Sequence, residues 1–391
     1  MIDLMLRRYM REMLANTPLK VRRYIYDRIH WDAQMIGIVG PRGIGKSTLL
    51  KQYILDNGAG DDILYVSADN TYFATHTLSS LADQFAMEGG RLLVIDEIHV
   101  YKNWSRELKE IYDIHPNLHV IFTGSSILEI NKGKADLSRR VAMYQMQGLS
   151  FREYLAIFKD VDAKVYSLEE ILAQKVTLPE GVLPLPLFRE YLAKGYYPFC
   201  NQPEFNLLIQ QTVSLTTEVD IPQFAGLTAS TARKLKQLLM VVAGLAPFKP
   251  NASNLATEIG VSKNNVPDYL LWLEKAGMIA QVRDDTGGLR GLGKVEKVYL
   301  DNPSLMTVLG NDHPNIGNLR ETFFYNQMRV NHDVTTSRLA DFQIGDLTFE
   351  VGGRKKGTRQ IENAEHGIVV KDDIDYGSGI FVALWQFGMN Y

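Results

Sequence analysis

The most informative stretch of this 391-residue chain is Gly40-Pro41-Arg42-Gly43-Ile44-Gly45-Lys46-Ser47, which fits the pattern G-x-x-x-x-G-K-[ST]. Its glycines allow backbone N–H groups to curl around a phosphate, while Lys46 adds positive charge beside the outer phosphates. Ser47 offers a hydroxyl to Mg²⁺, and the helical run after the loop points its positive end at the anion. The alternative is a glycine-rich turn with a surface lysine. The apolar run before the loop and the helical run after it favour a phosphate site.

The expected contacts to the phosphates of ATP extend over the whole loop and one residue beyond. Arg42 either touches a phosphate or pairs with an acidic side chain, and the sequence does not choose between these roles. The predicted nucleotide-binding residues are Gly40, Pro41, Arg42, Gly43, Ile44, Gly45, Lys46, Ser47 and Thr48.

Short apolar runs alternate with helical patterns around this loop. The runs at 35–39, 63–66, 92–95 and 119–123 predict buried strands, and helical stretches lie between them. Strands that alternate with helices are typical of a parallel sheet covered on both faces. The sequence therefore predicts an α/β fold that begins near residue 35.

Two carboxylates, Asp96 and Glu97, follow the third apolar run. In enzymes with such a phosphate loop, an acid at this strand end holds Mg²⁺ through its waters, and Asp96 suits that role. Glu97 would then polarise the attacking water as a general base. The alternative is a pair of strand-end acids that face solvent. The predicted metal ligands are Ser47 and Asp96.

Hydroxyls and cations follow the fourth run. Thr123 or Ser125 either senses the outermost phosphate from between two strands or caps a turn. Arg139 and Arg140 either supply an arginine finger to a neighbouring subunit or form a solvated basic pair. We interpret His99 as a packing group. The predicted catalytic set is Glu97, Lys46, Thr123 and Arg140.

The composition limits the classes of partner and compartment. The net charge of −3 draws the chain neither to nucleic acid nor to anionic lipid, so DNA binding would need a local patch. The single cysteine, Cys200, is interpreted as a packing residue in a reduced, cytoplasmic protein. Residues 1–20 predict an amphipathic helix packed on the core rather than a signal peptide or a membrane-surface helix. No apolar run approaches the roughly 20 residues that span a bilayer.

Residues 251–300 predict two helices and a hairpin. The helices are expected at 255–259 and 265–276, with Asn264 as the N-cap, Pro267 at the third helical position and Gly277 as the stop. Strands at 278–282 and 294–300 would flank a wing at 283–293, which contains Arg283 and Arg290.

The exposed face of the second of these helices carries few cations. It offers Lys263, Asn264, Asn265 and Asp268, with Lys275 at the far end. That charge is low for a helix that reads duplex DNA. DNA binding and docking of a protein partner are therefore equally favoured for this segment.

Several motifs together resemble a large prokaryotic group of AAA+ ATPases. The resemblance covers nearly the whole chain, and its ATPase motifs are specific whereas its C-terminal motifs are not. The residues that carry it are the loop Gly40 to Thr48, Ile95-Asp96-Glu97-Ile98 with Trp104 close behind, Thr123-Gly124-Ser125-Ser126, Gly148-Leu149-Ser150-Phe151-Arg152-Glu153-Tyr154 and Gly195-Tyr196-Tyr197-Pro198.

The resemblance implies a P-loop NTPase of AAA+ type with further domains after it. We expect a core with an N-terminal helix at 1–150, a helical lid at 151–230, a winged helix at 231–305 and a restriction-endonuclease-like α+β domain at 306–391. The family's biological role is mostly unassigned, so the resemblance does not define the substrate.

The nuclease expectation depends on acids and a lysine. Restriction-type nucleases use an Asp, then a hairpin, then Glu-x-Lys, and Asp341 and Glu350 stand at that spacing with Glu321 as a third acid. Gly352 occupies the place of the lysine, and Lys355 or Lys356 would substitute only if the loop folds back. We therefore expect an inactive, structural or binding domain.

The sequence as a whole predicts a cytoplasmic Mg²⁺-dependent ATPase that binds ATP, hydrolyses it to ADP and has no membrane segment. A homo-oligomer is expected if the arginine finger operates. Its output is either a DNA-associated motor or switch or a nucleotide-gated protein interaction, with an ATP-regulated nuclease as the weaker alternative.

Overall fold

The chain divides into two compact units, Met1–Gln147 and Gly148–Tyr391. In this computed structural model the described residues are 2–124, 137, 139–285, 293–310 and 315–391. The predicted Ser125 and Ser126, Ser138 beside the two arginines, and Arg290 in the wing lie outside them. None of the helices in these ranges is long and apolar enough to cross a bilayer.

The first unit is built on a five-stranded parallel sheet in the order β2-β3-β4-β1-β5. The predicted α/β fold and its first four strands are confirmed, with three of these strands one residue longer than expected. The edge strand β5 was not predicted, because its half-exposed residues form no apolar run. The strands are β1 Met35–Val39, β2 Ile63–Ser67, β3 Leu92–Asp96, β4 His119–Gly124 and β5 Ala142–Gln145.

Helices cover this sheet and leave its strand ends free for polar groups. The N-terminal helix packs on the core, as predicted, because Leu6, Met10 and Leu14 are buried on one face. The Arg7 guanidinium holds it to β2 by donating to the Ile63 carbonyl at 2.8 Å. The helices are α1 Leu4–Ala15, α2 Lys46–Asp56, α3 Leu78–Met87 and α4 Trp104–Ile114.

The second unit begins as a helical region. Two stretches of it, Tyr191–Gly195 and Thr216–Asp220, are π-helical. Its α-helices are α5 Phe151–Phe158, α6 Leu168–Leu172, α7 Pro184–Glu190, α8 Phe205–Leu215, α9 Ile221–Ala225, α10 Ala229–Leu245, α11 Ala252–Ile259, α12 Val266–Lys275, α13 Pro303–Leu309 and α14 Ile316–Met328.

Helices α11 and α12 precede an antiparallel hairpin of β6 Ile279–Arg283 and β7 Val295–Leu300, close to the predicted bounds. The predicted N-cap is wrong. Asn265 is the N-cap of α12 and Pro267 its second residue, because a short 3₁₀ turn, capped by Ser262, takes up the residues before it. Gly277 ends the helix as expected, with a φ of 72° that a residue with a side chain rarely adopts.

The C-terminal sheet has the order β12-β11-β10-β9-β8. Strands β8 and β11 were not predicted. The apolar run at 380–385 predicts a strand, and the structure confirms three of its residues as strand, after which a 3₁₀ helix, Leu384–Met389, begins. The strands are β8 Thr335–Thr336, β9 Phe342–Ile344, β10 Leu347–Gly352, β11 His366–Lys371 and β12 Phe381–Ala383.

The tyrosines that follow Gly195 lie in the core of the second unit. Tyr196 is fully buried and fills the space that Gly148 leaves, since a Cβ on that glycine would lie 2.3 Å from the Tyr196 ring. Asp301 accepts a hydrogen bond from Tyr196 and pairs with Arg329 at 2.7 Å. Burial raises the pKa of the neighbouring Cys200 thiol to about 11, which fits its predicted packing role.

Candidate functional site

The loop between β1 and α2 has the conformation that its glycines permit. Gly43 and Gly45 have φ of 81° and 98°, in the left-handed region that side chains disfavour. Gly40 is required for a different reason: a Cβ there would lie 2.3 Å from the Met146 carbonyl oxygen. Helix α2 begins at Lys46, so its first backbone N–H groups and its positive end face the loop.

Lys46 is buried inside its own loop. Its Nζ donates to the carbonyl oxygens of Gly40 at 2.9 Å and Pro41 at 2.8 Å. An ammonium bonded to loop carbonyls is already desolvated and lies at the base of the loop, where it can transfer to phosphate oxygens with a small movement. Ser47 and Thr48 follow in the first turn of α2 and are partly exposed, and Arg42 is half-buried.

Arg23 supports the loop from outside and was not anticipated. Its buried guanidinium donates to the Ile44 carbonyl, within the loop, and at 2.7 Å to the Gln147 carbonyl. Arg23 is the second of two adjacent arginines ahead of β1, and that position carries no motif. Only the three-dimensional path of the chain identifies it.

A buried cluster lies beside the loop, at the ends of β2, β3 and β4. Asp96 is the last residue of β3, and its Oδ1 accepts from the Thr123 hydroxyl and from the Glu97 N–H at 3.2 Å. Its Oδ2 accepts from the Tyr65 hydroxyl at 2.7 Å. The strand order puts β4 between β1 and β3, so Thr123 lies between the loop strand and Asp96, as the sequence predicts. Tyr65 was missed.

Glu97 leaves the strand in a strained conformation. Its φ of 53° and ψ of 40° are left-handed, which costs a residue with a side chain about 1 kcal/mol or more. The Glu97 N–H points back to the Thr123 hydroxyl at 3.1 Å, and the partly exposed carboxylate is 3.6 Å from His99 Nε2. The structure therefore places His99 against the predicted general base, which fits a group that packs beside Glu97 and supports it rather than one that reacts itself.

Arg140 is not part of this cluster. It forms a bidentate ion pair with Asp113 near the end of α4, at 2.8 and 3.1 Å. Arg140 lies two residues before β5, whose first residues pair with the start of β1. It therefore lies at the amino-terminal ends of the strands, whereas the phosphate loop of its own chain lies at their carboxyl ends.

The predicted nuclease acids come together in the second unit, but lysines neutralise them. Lys297 Nζ lies 3.2 Å from both Glu321 Oε2 and Asp341 Oδ1, and Lys356 pairs with Glu350. Burial, followed by the charge of Asp341, raises the pKa of Glu321.

The loop after β10 folds back across the position of the missing lysine. A Cβ on Gly352 would lie 2.7 Å from the Lys356 side chain, so that side chain occupies the space over the glycine. Among the described residues, no group of three or more His, Cys, Asp or Glu side chains is arranged to hold a metal ion.

A cavity of about 1160 Å³ lies between the β6–β7 hairpin and the C-terminal sheet, within the second unit. Acidic side chains outnumber basic ones on its wall. The acids are Asp284, Asp285, Glu296, Asp346 and Glu365, and the bases are Lys297 and Arg338.

Residues 32–155, which contain the phosphate loop and the strand-end cluster, match the family model described as an AAA domain. The match identifies this segment as an AAA-type P-loop domain. The model covers less than half of the chain and does not assign the remainder. Residues 185–315 match a second model, described as a domain of unknown function, DUF8612. Among curated proteins, no sequence matches the chain.

Solved structures give distant matches to the P-loop domain and its neighbours. The Walker-type ATPase PABY2304 of Pyrococcus abyssi shares 14% identity over 76% of this chain and 99% of its own, with a TM-score of 0.44. AMPPCP-bound DnaA from Aquifex aeolicus shares 12% identity over 70% of this chain and 90% of its own, with a TM-score of 0.28. Both scores are below 0.5, so neither structure supports an argument about activity or domain arrangement.

The left-handed backbone at Glu97 yields a stability prediction. Glu97→Gly should unfold at a higher temperature than Glu97→Gln, by the equivalent of about 1 kcal/mol, because only glycine adopts this conformation without strain. The same pair of substitutions at Glu258, an exposed residue within α11, is the control. There Gly should be less stable than Gln by about 1 kcal/mol. Equal melting temperatures for the two Glu97 variants would contradict a strained position.

Proposed function

We propose that the first unit binds ATP at the loop Gly40 to Thr48 and hydrolyses it to ADP in an Mg²⁺-dependent reaction. The observation that carries the proposal is that a desolvated Lys46 follows the carboxyl end of β1, while a buried Asp96 and a partly exposed Glu97 stand at the carboxyl end of β3, with only β4 between the two strands. The base of the bound nucleotide is taken to be adenine by default.

Each residue of the site has a distinct role in the proposed reaction. Lys46 moves from the carbonyls of its loop to the β- and γ-phosphates, and the loop N–H groups hold the β-phosphate. Ser47 and Asp96 would hold Mg²⁺, which would supply positive charge to neutralise the charge that develops on the phosphates. Glu97 accepts a proton from the attacking water, and Thr123 fixes the orientation of the strand ends. A site with few protein ligands fits Mg²⁺, which keeps several waters.

Arg140 would act only on ATP bound to a neighbouring subunit, not on ATP bound to its own chain. Its pair with Asp113 would have to break for it to reach the γ-phosphate of a neighbouring subunit in a homo-oligomer. Arg139 is exposed and is the alternative finger. The proposed lid at 151–230, winged helix at 231–305 and nuclease-like domain at 306–391 would respond to the nucleotide.

A protein partner is the favoured output, and DNA the alternative. The turn before α12 and the exposed residues in the first turn of that helix carry one cation, Lys263, and one acid, Asp268. Among the described residues that line the cavity beside the hairpin, five are acids and two are bases. Acidic walls repel the phosphate backbone, which dominates the affinity of proteins for DNA. A nuclease stays the weaker alternative: Lys356 lies where a substitute lysine would act, but Lys297 already bridges Glu321 and Asp341, two of the acids that would hold the metal.

The ATPase proposal predicts different defects in two variants. Lys46→Ala should lower ATP affinity by about 100-fold, because a charge-assisted contact to phosphate is lost. Glu97→Gln should retain binding while turnover falls by about 100-fold, because the amide accepts no proton. Binding of a fluorescent ATP analogue and phosphate release report the two steps. Lys51→Ala, farther along α2, is the control. Full turnover in Glu97→Gln would show that another group is the base.

The preference for a protein partner predicts the outcome of a salt-titrated DNA-binding assay. Duplex and single-stranded DNA should show no binding stronger than the micromolar range at about 50 mM salt, with or without ATP. Plasmid DNA incubated with the protein and Mg²⁺ should be recovered intact. Tight binding that weakens steeply with salt would instead establish the DNA-associated output, and cleavage abolished by Glu350→Ala would establish a nuclease.

A further inference from the structure

Tyr65 contacts the candidate metal-holding carboxylate, and no sequence motif contains it. Its side chain is 1% exposed, and its hydroxyl donates to Asp96 Oδ2 at 2.7 Å. A buried tyrosine hydroxyl needs a hydrogen-bond partner, and here that partner is a carboxylate of the proposed ATP site.

The register of the sheet explains how Tyr65 reaches this carboxylate. Ser67 of β2 pairs with Asp96 of β3, and Tyr65 lies two residues earlier on the same strand. Side chains two residues apart share a face of the sheet, so Tyr65 and Asp96 are on the same side of neighbouring strands.

The hydrogen bonds at Asp96 distinguish its two oxygens. Among the described residues, Oδ1 accepts two bonds, from the Thr123 hydroxyl and the Glu97 N–H, and Oδ2 accepts one, from Tyr65. A carboxylate oxygen has two lone pairs, so Oδ1 is saturated and Oδ2 retains one. Tyr65 therefore fixes the oxygen that is still able to accept a bond from a metal-bound water.

The ring of Tyr65 is itself held in place by the N-terminal helix. Tyr9 of α1 stacks on it, with ring centroids 6.2 Å apart and planes inclined by 13°. The Met10 sulfur accepts from the Tyr65 backbone N–H at 3.4 Å. With its ring covered and its backbone anchored, Tyr65 has little freedom to turn its hydroxyl away from Asp96.

We propose that Tyr65 is a positioning residue for Mg²⁺–nucleotide: its hydroxyl holds Asp96 with the free lone pair of Oδ2 directed at the metal-bound water. The inference rests on the proposed ATP site. It assigns Tyr65 an effect on the metal-dependent part of nucleotide binding and none on the part that the phosphate loop supplies alone.

Tyr65→Phe tests the proposal, because it removes the hydroxyl and retains the ring. The dissociation constant of a fluorescent ATP analogue is measured with EDTA and with saturating Mg²⁺. The dissociation constant in EDTA divided by that in Mg²⁺ measures how much the metal strengthens binding. This ratio should fall about fivefold to tenfold in Tyr65→Phe, which is the effect of losing one hydrogen bond to a charged group. The constant measured in EDTA should not change. Tyr101→Phe makes the same chemical change at a hydroxyl that donates to a different carboxylate, Glu107, at 2.8 Å, and should match the wild type.

The internal ratio keeps the test valid if the variant is less stable. Both dissociation constants are measured on the same sample below its unfolding transition. A smaller fraction of folded protein therefore affects both equally and cancels from their ratio. An unchanged ratio in Tyr65→Phe, or an equal fall in Tyr101→Phe, would overturn the positioning role. A wild-type protein that binds no nucleotide in either buffer would instead overturn the proposed function.

Discussion

Parallel pairing of β1, β4 and β3 is the constraint on which the site depends. It aligns the carboxyl ends of the three strands, with Ile38 beside Thr123 and Ile95 beside Phe122. One end of the sheet therefore brings together the loop that follows β1, the hydroxyl in β4 and the acids at the end of β3. Strand pairing alone places these groups near one another, so no long side chain has to reach across the sheet. Because these strands are apolar and buried on both faces, the polar groups at their ends are held by a rigid core.

The second unit uses its charged groups differently. Arg329 and Asp301 pair beneath the tyrosines that follow Gly195, and Lys297 bridges two acids of the C-terminal domain. These pairs engage the charges of Arg329 and Lys297 within the unit, although the buried Arg329 Nε and Glu350 Oε2 have no hydrogen-bond partner among the described residues. The motifs of this unit that resemble the AAA+ group therefore contribute to its packing. The residues proposed to bind and hydrolyse ATP all lie in the first unit.

Sequence reasoning identified the phosphate loop because few structures other than a phosphate cradle require its spacing of glycines and lysine. It identified Asp96 and Thr123 because strand ends follow from hydrophobic runs. Tyr65 and Arg23 were missed, since their roles depend on strand register and on the path of the chain before β1. The fold of Lys356 over Gly352 depends on loop conformation, which periodicity does not encode.

The most direct test of the account is a crystal structure with Mg²⁺ and a non-hydrolysable ATP analogue. The account predicts that Lys46 Nζ leaves the carbonyls of Gly40 and Pro41 and contacts the β- and γ-phosphates. Mg²⁺ should lie between the Ser47 hydroxyl and a water held by Asp96 Oδ2. The account is contradicted if Lys46 keeps its bonds to the loop and the analogue binds elsewhere or not at all.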